Sequence, residues 1–223
     1  MRLVRNWLSA KPSPQSTTVA LAVALVLIFI AQAAWFWPNF AEQLPVSGHA
    51  VFVDGEWWRL WTACFAHADL GHLLSNLLFL VIFGRFVGGH FGWIAFPVLP
   101  FILGGLANLS VLRTYPDDVS ILGASGVVNV VGGMWLALFY MLSRQYRQSG
   151  RLLRAFGVGL LLFAPQEFRP NVAEKVHLAG LVIGVGAGLI WFLAQRKTFR
   201  AAEVWEAEPV ILDEIETPGE LNE

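Results

Sequence analysis

Residues 119–143 read VSILGASGVVNVVGGMWLALFYMLS and contain no Asp, Glu, Lys or Arg. Three further ranges, 12–41, 86–112 and 176–195, are equally free of charged side chains. Each approaches or exceeds the ~20 apolar residues that a helix needs to cross the hydrocarbon core of a bilayer. The chain of 223 residues is 56% hydrophobic and only 14% charged, whereas a soluble domain is about a quarter charged. The sequence therefore predicts an all-α, polytopic membrane protein.

Hydropathy predicts six membrane spans, of which the fifth is the shortest. We include the fifth because Pro165 and Pro170 bracket a turn after which the chain must return through the membrane. The chain then divides into an N-terminal segment (1–16), a six-helix membrane domain (17–195) and an acidic tail (196–223), which we expect to be disordered. The six predicted spans cover residues 17–37, 68–87, 92–112, 124–142, 152–165 and 176–194.

The distribution of basic residues predicts the orientation of the spans. Six spans place both termini on one side, and Lys and Arg concentrate in cytoplasmic segments. With the N-terminus inside, only Arg59, Arg113, Arg169 and Lys175 of the 15 basic residues lie outside. We therefore expect both termini in the cytoplasm, for a multi-pass protein of the bacterial inner (cell) membrane. The one cysteine excludes an internal disulfide.

Polar side chains mark the first turns of spans two, four and six. Because these spans cross the membrane in the same direction, their first turns share one depth near the outer face. His72 and Asn76 lie in span two with His67 just before it, Ser125 lies in span four, and His177 lies in span six. Polar groups at such depths in a membrane protein usually serve its function. Topology alone therefore predicts that these residues converge.

Ser125 stands in a turn of small residues, Gly123-Ala124-Ser125-Gly126. Such a turn at a helix start leaves the hydroxyl uncrowded and frees backbone N–H groups to stabilise an oxyanion. An isolated serine in a membrane helix usually bonds its own backbone instead. The turn therefore indicates a nucleophile only in combination with its neighbours.

His177 precedes a stripe of glycines at Gly180, Gly184 and Gly188. This spacing of four lines one helix face and allows a neighbouring helix to approach closely. Packing of span six on span four would bring His177 to Ser125, as a Ser–His dyad requires.

His72 and Asn76 are separated by four residues, so both side chains project from one helix face. Their N–H groups are suitable donors to an oxyanion. A metal site built by His67, His72 and His177 is the alternative. Because the first two are five apart and no carboxylate lies at that depth, we expect no metal.

These features resemble the rhomboid family of intramembrane serine proteases over residues ~17–195. Three motifs carry the resemblance: Trp58-Arg59 with Thr62, Phe65, His67, His72 and Asn76; Gly123-Ala124-Ser125-Gly126; and His177 with Gly180, Gly184 and Gly188.

The resemblance implies a Ser125–His177 dyad without a third acid or a cofactor. It implies cleavage of transmembrane substrate proteins near the outer membrane face, with His72 and Asn76 assisting the Ser125 amide in the oxyanion hole. It places Arg59 in a loop that lies partly in the outer leaflet. It implies a protein that binds neither a metal ion nor nucleic acid. Many members have a tyrosine four residues after the nucleophile; this chain has Asn129, which could orient His177 by a hydrogen bond. Gly123, Gly126 and Gly180 are expected to support the site.

Two other functions stay open at this point. A non-catalytic rhomboid-like protein would use the same polar cluster to bind client transmembrane helices. A small transporter is the other alternative, although the sequence has neither a two-fold hydropathy repeat nor a carboxylate within a span.

Overall fold

A computed structural model describes residues 2–143 and 174–207 of the chain. In chain order the elements are strand β1 (Arg2–Arg5), a 3-10 turn (Trp7–Ser9), helices α1 (Gln15–Phe36), α2 (Pro38–Ala41), α3 (Gly48–Phe52) and α4 (Arg59–Thr62), a 3-10 turn (Ala63–Phe65), α5 (Leu70–Phe91), a π-helical turn (Ile94–Val98), α6 (Leu99–Leu112), α7 (Ser125–Ser143), α8 (Glu174–Ala194), α9 (Arg196–Ala201) and strand β2 (Val204–Glu206).

Five helical segments of the described chain are long and apolar enough to cross a membrane. They are α1, α5, α7, α8 and the segment Ile94–Leu112, which contains the π-helical turn and α6. Their bounds agree with five of the predicted spans to within a few residues. The remaining predicted span, 152–165, lies outside the described residues. The prediction of an all-α membrane bundle is confirmed.

Local signals in the sequence set where α5 begins and ends. Asp69 caps its first turn, because its carboxylate accepts a hydrogen bond of 2.8 Å from the backbone N–H of His72. The helix stops at Gly92, whose φ of 87° is a left-handed conformation that glycine adopts without strain. The Asp69 cap and the Gly92 stop therefore set the two ends of α5, and with them the position of the polar residues in its first turns.

Helix α7 is the most buried of the membrane-length helices, and its contact with α8 is the most extensive helix pair among the described elements. The glycine stripe of α8 faces α7. A Cβ atom built on Gly180 would lie 2.8 Å from the carbonyl oxygen of Gly126, and one built on Gly188 would lie 2.8 Å from that of Met134. The two backbones are therefore in direct contact, as the glycine spacing predicts.

Replacing Gly184 with leucine should separate these helices. A Cβ atom at this position meets the backbone of Val130, which is held within α7 and cannot move aside as a flexible side chain would. Because overpacking a close interface costs up to about 3 kcal/mol, we expect a clear loss of thermal stability in detergent. Gly186 provides the matched control, since a Cβ atom there meets nothing within 4 Å. Equal melting temperatures for Gly184→Leu and Gly186→Leu would show that the stripe does not set the packing.

The two terminal segments pair with each other at one end of the bundle. Strand β1 runs antiparallel to β2, with Leu3 opposite Trp205. The Asn6 side-chain amide donates a hydrogen bond of 2.6 Å to the carbonyl oxygen of Leu142 at the end of α7. We call these paired segments the terminal clasp. It joins the segment before α1 to the segment after α9.

The prediction of disorder over 196–223 differs from the structure in the first part of that range. Helix α9 and strand β2 form there because Phe199 is buried and packs against Trp7, Phe91 and Phe192. Burial of one large aromatic ring contributes roughly 1.5–3 kcal/mol toward holding this segment against the bundle.

Candidate functional site

The turn that carries Ser125 is held from both sides by backbone hydrogen bonds. Ile121, just before it, forms a β-bridge with Val46 through bonds of 2.7 and 2.9 Å. The N–H of Gly123 donates to the carbonyl oxygen of Ala63 at 2.9 Å. Gly123 itself has a φ of 110°, which strongly favours glycine. The turn is therefore fixed before α7 begins.

The helix start leaves backbone donors available at Ser125. The first α-helical bond of this end runs from the N–H of Val128 to the carbonyl oxygen of Ala124, at 2.9 Å. The N–H groups of Ser125, Gly126 and Val127 come before that bond, so the helix itself provides them with no acceptor. Partial positive charge accumulates at such a terminus and stabilises a nearby anion.

Ser125 and His177 lie on facing helices at the same level of the bundle. Gly126, next to Ser125, contacts Gly180, one helical turn after His177. A Cβ atom built on Gly126 would also lie 3.2 Å from Cγ1 of Val176. Both polar side chains are buried, with 7% of Ser125 and 5% of His177 exposed. The helix contact thus places the first turns of α7 and α8 side by side.

His72 and Asn76 of α5 lie beside the same turn. A Cβ atom built on Gly123 would be 2.6 Å from Cε1 of His72 and 3.7 Å from Nδ2 of Asn76. Glycine is therefore required here for space as well as for its backbone conformation. The Asn76 amide nitrogen is buried and has no hydrogen-bond partner within the described residues. A buried donor without an acceptor is costly unless a ligand supplies the acceptor.

His67 has a structural role that the sequence analysis did not assign. Burial, and secondarily the neighbouring His72, lowers its pKa to about 4, so the ring is neutral at pH 7. Its Nε2 accepts from the N–H of Ala124 at 3.4 Å, and its Nδ1 lies 3.4 Å from the carbonyl oxygen of Phe65. Both contacts are satisfied by the neutral tautomer with the proton on Nδ1. His67 therefore supports the residue before Ser125 only while it is uncharged.

Acidification should destabilise the protein through His67. Because the folded pKa of about 4 lies below the ordinary value of 6.5, the unfolded chain binds the proton first as pH falls. The free energy of unfolding should decrease between pH 6.5 and pH 4 by up to about 3 kcal/mol. Melting temperatures in detergent at pH 7 and pH 4.5 measure the effect. The melting temperature of His67→Gln should fall less on acidification than that of wild type. His49→Gln, the control at an exposed site, should match wild type. Equal falls in melting temperature in all three proteins would contradict this role of His67.

Asn129 makes no hydrogen bond to His177 within the described residues, and Arg59 lies in the segment between α1 and α5. The amide of Asn129 donates to the carbonyl oxygen of Ser125 at 2.9 Å, and its oxygen has no hydrogen-bond partner among the described residues. It therefore accepts no bond from His177 here. Arg59 pairs with Glu56 and donates to the carbonyl oxygens of Glu42 and Pro45 at 2.8 and 3.2 Å. These contacts of Arg59 stabilise the loop between α1 and α4.

Asn108 on α6 is a further supporting residue. It is buried, and its amide donates to the carbonyl oxygen of Leu60 at 2.8 Å. This bond anchors the loop whose Ala63 carbonyl holds Gly123. The only sequence signal was a polar side chain late in the third span, which does not reveal its partner.

The histidines beside the site pack on one another. The rings of His67 and His72 meet edge to face with centroids 5.1 Å apart. In residues 2–143 and 174–207, no group of three or more His, Cys, Asp or Glu side chains is placed to hold a metal ion.

The fold and the buried Ser and His on facing helices define a multi-pass helical membrane protein with a polar site near one end. A model of the rhomboid domain matches residues 54–194, and the chain belongs to the rhomboid family. The match includes the motifs at Arg59, His72, Ser125 and His177.

Several relatives are similar to this chain at low identity. The putative rhomboid protease YdcA of Bacillus subtilis is 29% identical over 160 residues, which cover 70% of this chain and 76% of the relative. The rhomboid protease GlpG of Haemophilus influenzae is 25% identical over 184 residues, or 78% and 88% of the two chains. RHOMBOID-like protein 12 of Arabidopsis thaliana, a mitochondrial protein, is 25% identical over 223 residues, covering 88% of this chain and 63% of its own length. The chain thus spans less than two thirds of that plant relative.

Proposed function

We propose that this chain is an intramembrane serine endopeptidase with Ser125 as nucleophile and His177 as general base. Relatives named as rhomboid proteases support protease activity. The observation that carries the proposal is the contact of Gly126 with Gly180, because it brings the helix turns of Ser125 and His177 together. A hydroxyl is a weak nucleophile at neutral pH and needs a base of this kind within reach.

In the proposed reaction the Ser125 oxygen attacks a peptide carbonyl while His177 takes its proton. The imidazolium then gives the proton to the leaving amine, and an acyl-enzyme remains. Water attacks this ester with His177 again acting as base, which releases the acid and restores Ser125. Water must therefore reach the site, so the mouth between α5, α7 and α8 is proposed to admit it.

The oxyanion of each tetrahedral intermediate is proposed to lie between α5 and the first turn of α7. The Ser125 N–H, the His72 ring and the Asn76 amide are the proposed donors. Nδ2 of Asn76 has no partner within the part of the chain that the structure describes, and this supports the role because an oxyanion would supply the missing acceptor. Donors fixed in a site of low polarity stabilise developing charge strongly.

The proposed substrates are transmembrane proteins cut near the outer face. A helix buries its carbonyl groups in its own hydrogen bonds, so a substrate must unwind before Ser125 can attack. Residues with low helix propensity near the cut make that step easier.

Cleavage of a single-span substrate in proteoliposomes tests the proposal. Ser125→Ala should abolish cleavage, while Ser110→Ala should retain it, because the Ser110 hydroxyl lies on α6 and donates to the carbonyl oxygen of Ala107 in the same helix. Activity that survives in Ser125→Ala would contradict the proposed nucleophile. Binding of substrate helices by a folded wild type that cleaves none of them would instead favour the non-catalytic alternative.

A further inference from the structure

A cavity of about 300 Å³ lies at the end of the bundle opposite Ser125. Its walls come from the N-terminal segment, from Gly89 and His90 in the last turn of α5, and from Ala202 and Val204 around the terminal clasp. No step of the proposed proteolysis uses it. We call it the clasp pocket.

The walls of the clasp pocket are held by hydrogen bonds between distant parts of the chain. The Trp7 indole N–H donates to the carbonyl oxygen of His90 at 2.8 Å. The N–H of Ser13 donates to the carbonyl oxygen of Gly89 at 3.0 Å. Asn6, another lining residue, is bonded to Leu142. The pocket is therefore formed before a ligand binds, which lowers the entropic cost of binding.

The charge of the pocket favours an anion. Arg5 and Lys11 line it, and none of its described lining residues is acidic. Arginine and lysine are the side chains that proteins use to bind phosphate, arginine through paired N–H donors and lysine as a point charge. An anion entering here would therefore meet two cations in a preformed cavity.

The position of the pocket distinguishes a lipid from a free anion. His90 lies in the last turn of α5, and the end of a membrane-spanning helix is expected to meet the headgroup region. Phe86 and Ile82 lie four and eight residues before it on the same helix face, and each is 42% exposed. This face leads from the pocket into the hydrocarbon core. A phosphate in the pocket would thus be correctly placed for its acyl chains to lie along Phe86 and Ile82.

We propose that the clasp pocket binds the phosphate headgroup of an anionic phospholipid. Arg5 and Lys11 bind the phosphate, and the apolar face of α5 binds the acyl chains. The lipid then holds the terminal clasp against the end of α5.

Native mass spectrometry of the full chain with phosphatidylglycerol and phosphatidylcholine tests the proposal. Wild type should retain one phosphatidylglycerol molecule preferentially. Arg5→Gln combined with Lys11→Gln should weaken its binding about tenfold or more, since two charge-assisted hydrogen bonds are lost. The matched control is Arg85→Gln with Lys197→Gln, which removes the same charge from this end of the bundle but lies outside the pocket lining. Binding of phosphatidylglycerol by this control variant should change by less than about threefold, as expected for exposed charges.

Four outcomes would overturn the proposal. Equal binding of the two lipids by wild type would show that the pocket does not select a lipid with net negative charge, and equal losses in the two double variants would indicate a general effect of charge. Displacement of the lipid by inorganic phosphate at millimolar concentration would indicate a site for a free anion. Removal of residues 208–223 should leave lipid binding within about threefold of that of wild type, because exposed charges contribute little. A large increase in lipid binding would indicate that the acidic tail, and not a lipid, occupies the pocket.

Discussion

His177→Ala should lower kcat for cleavage of a transmembrane substrate by at least about 10³-fold while KM changes little. Without the imidazole, the Ser125 hydroxyl has no group to accept its proton, and the leaving amine has no group to donate one. The loss occurs in the transition state, because a base that acts on the nucleophile adds little to substrate binding. Initial rates in proteoliposomes across a range of substrate densities separate kcat from KM.

The control for this variant is His49→Ala. His49 is exposed and lies in α3, where its ring is 3.7 Å from the carboxylate of Asp54. It should retain wild-type kcat. If His177→Ala kept more than about a tenth of the wild-type kcat, a loss of only ~1.4 kcal/mol, His177 would not be the general base.

Asn76→Ala should lower kcat by about 10²–10³-fold without destabilising the protein. Its Nδ2 makes no hydrogen bond within the described residues, so its removal breaks none of them. The missing donor matters only when an oxyanion forms. Rates in proteoliposomes and melting temperatures in detergent measure the two effects independently.

Asn108→Ala is the matched comparison for Asn76→Ala. It removes the same amide from a buried position, but this amide bonds the carbonyl oxygen of Leu60. We expect a loss of about 1–3 kcal/mol in the free energy of unfolding, because a buried acceptor is left unsatisfied. If Asn76→Ala instead lost stability and kept its kcat, the amide would have a structural role and the proposed oxyanion hole would be wrong.

The sequence predicted the parts of the fold that follow from continuous local patterns. Uncharged runs located four of the described spans, and hydropathy located α5, which contains Arg85; each span must satisfy its backbone within one helix. The spacing of Gly180, Gly184 and Gly188 predicted the contact with α7. Topology then predicted that Ser125 and His177 start neighbouring helices at one depth. All of these predictions depend only on the spacing of residues along a helix, the length of apolar runs and the direction in which each span crosses the membrane.

The supporting contacts were not predictable in this way, because they join loops that lack periodicity. The Ala63 carbonyl that holds Gly123 belongs to the backbone and is independent of side-chain identity. His67 could be placed at the right depth, but its bond to Ala124 depends on the path of the loop. The terminal clasp was missed because Asn6 and Leu142 are 136 residues apart in the sequence and no local pattern joins them.

Covalent labelling with a fluorophosphonate tests the Ser125–His177 dyad most directly. After reaction of the full chain in detergent, digestion and mass spectrometry locate the modified residue. The account predicts one adduct on Ser125 in wild type, none in Ser125→Ala and a strongly reduced yield in His177→Ala. Equal labelling of wild type and His177→Ala, or an adduct on another serine in a folded wild type, would contradict it.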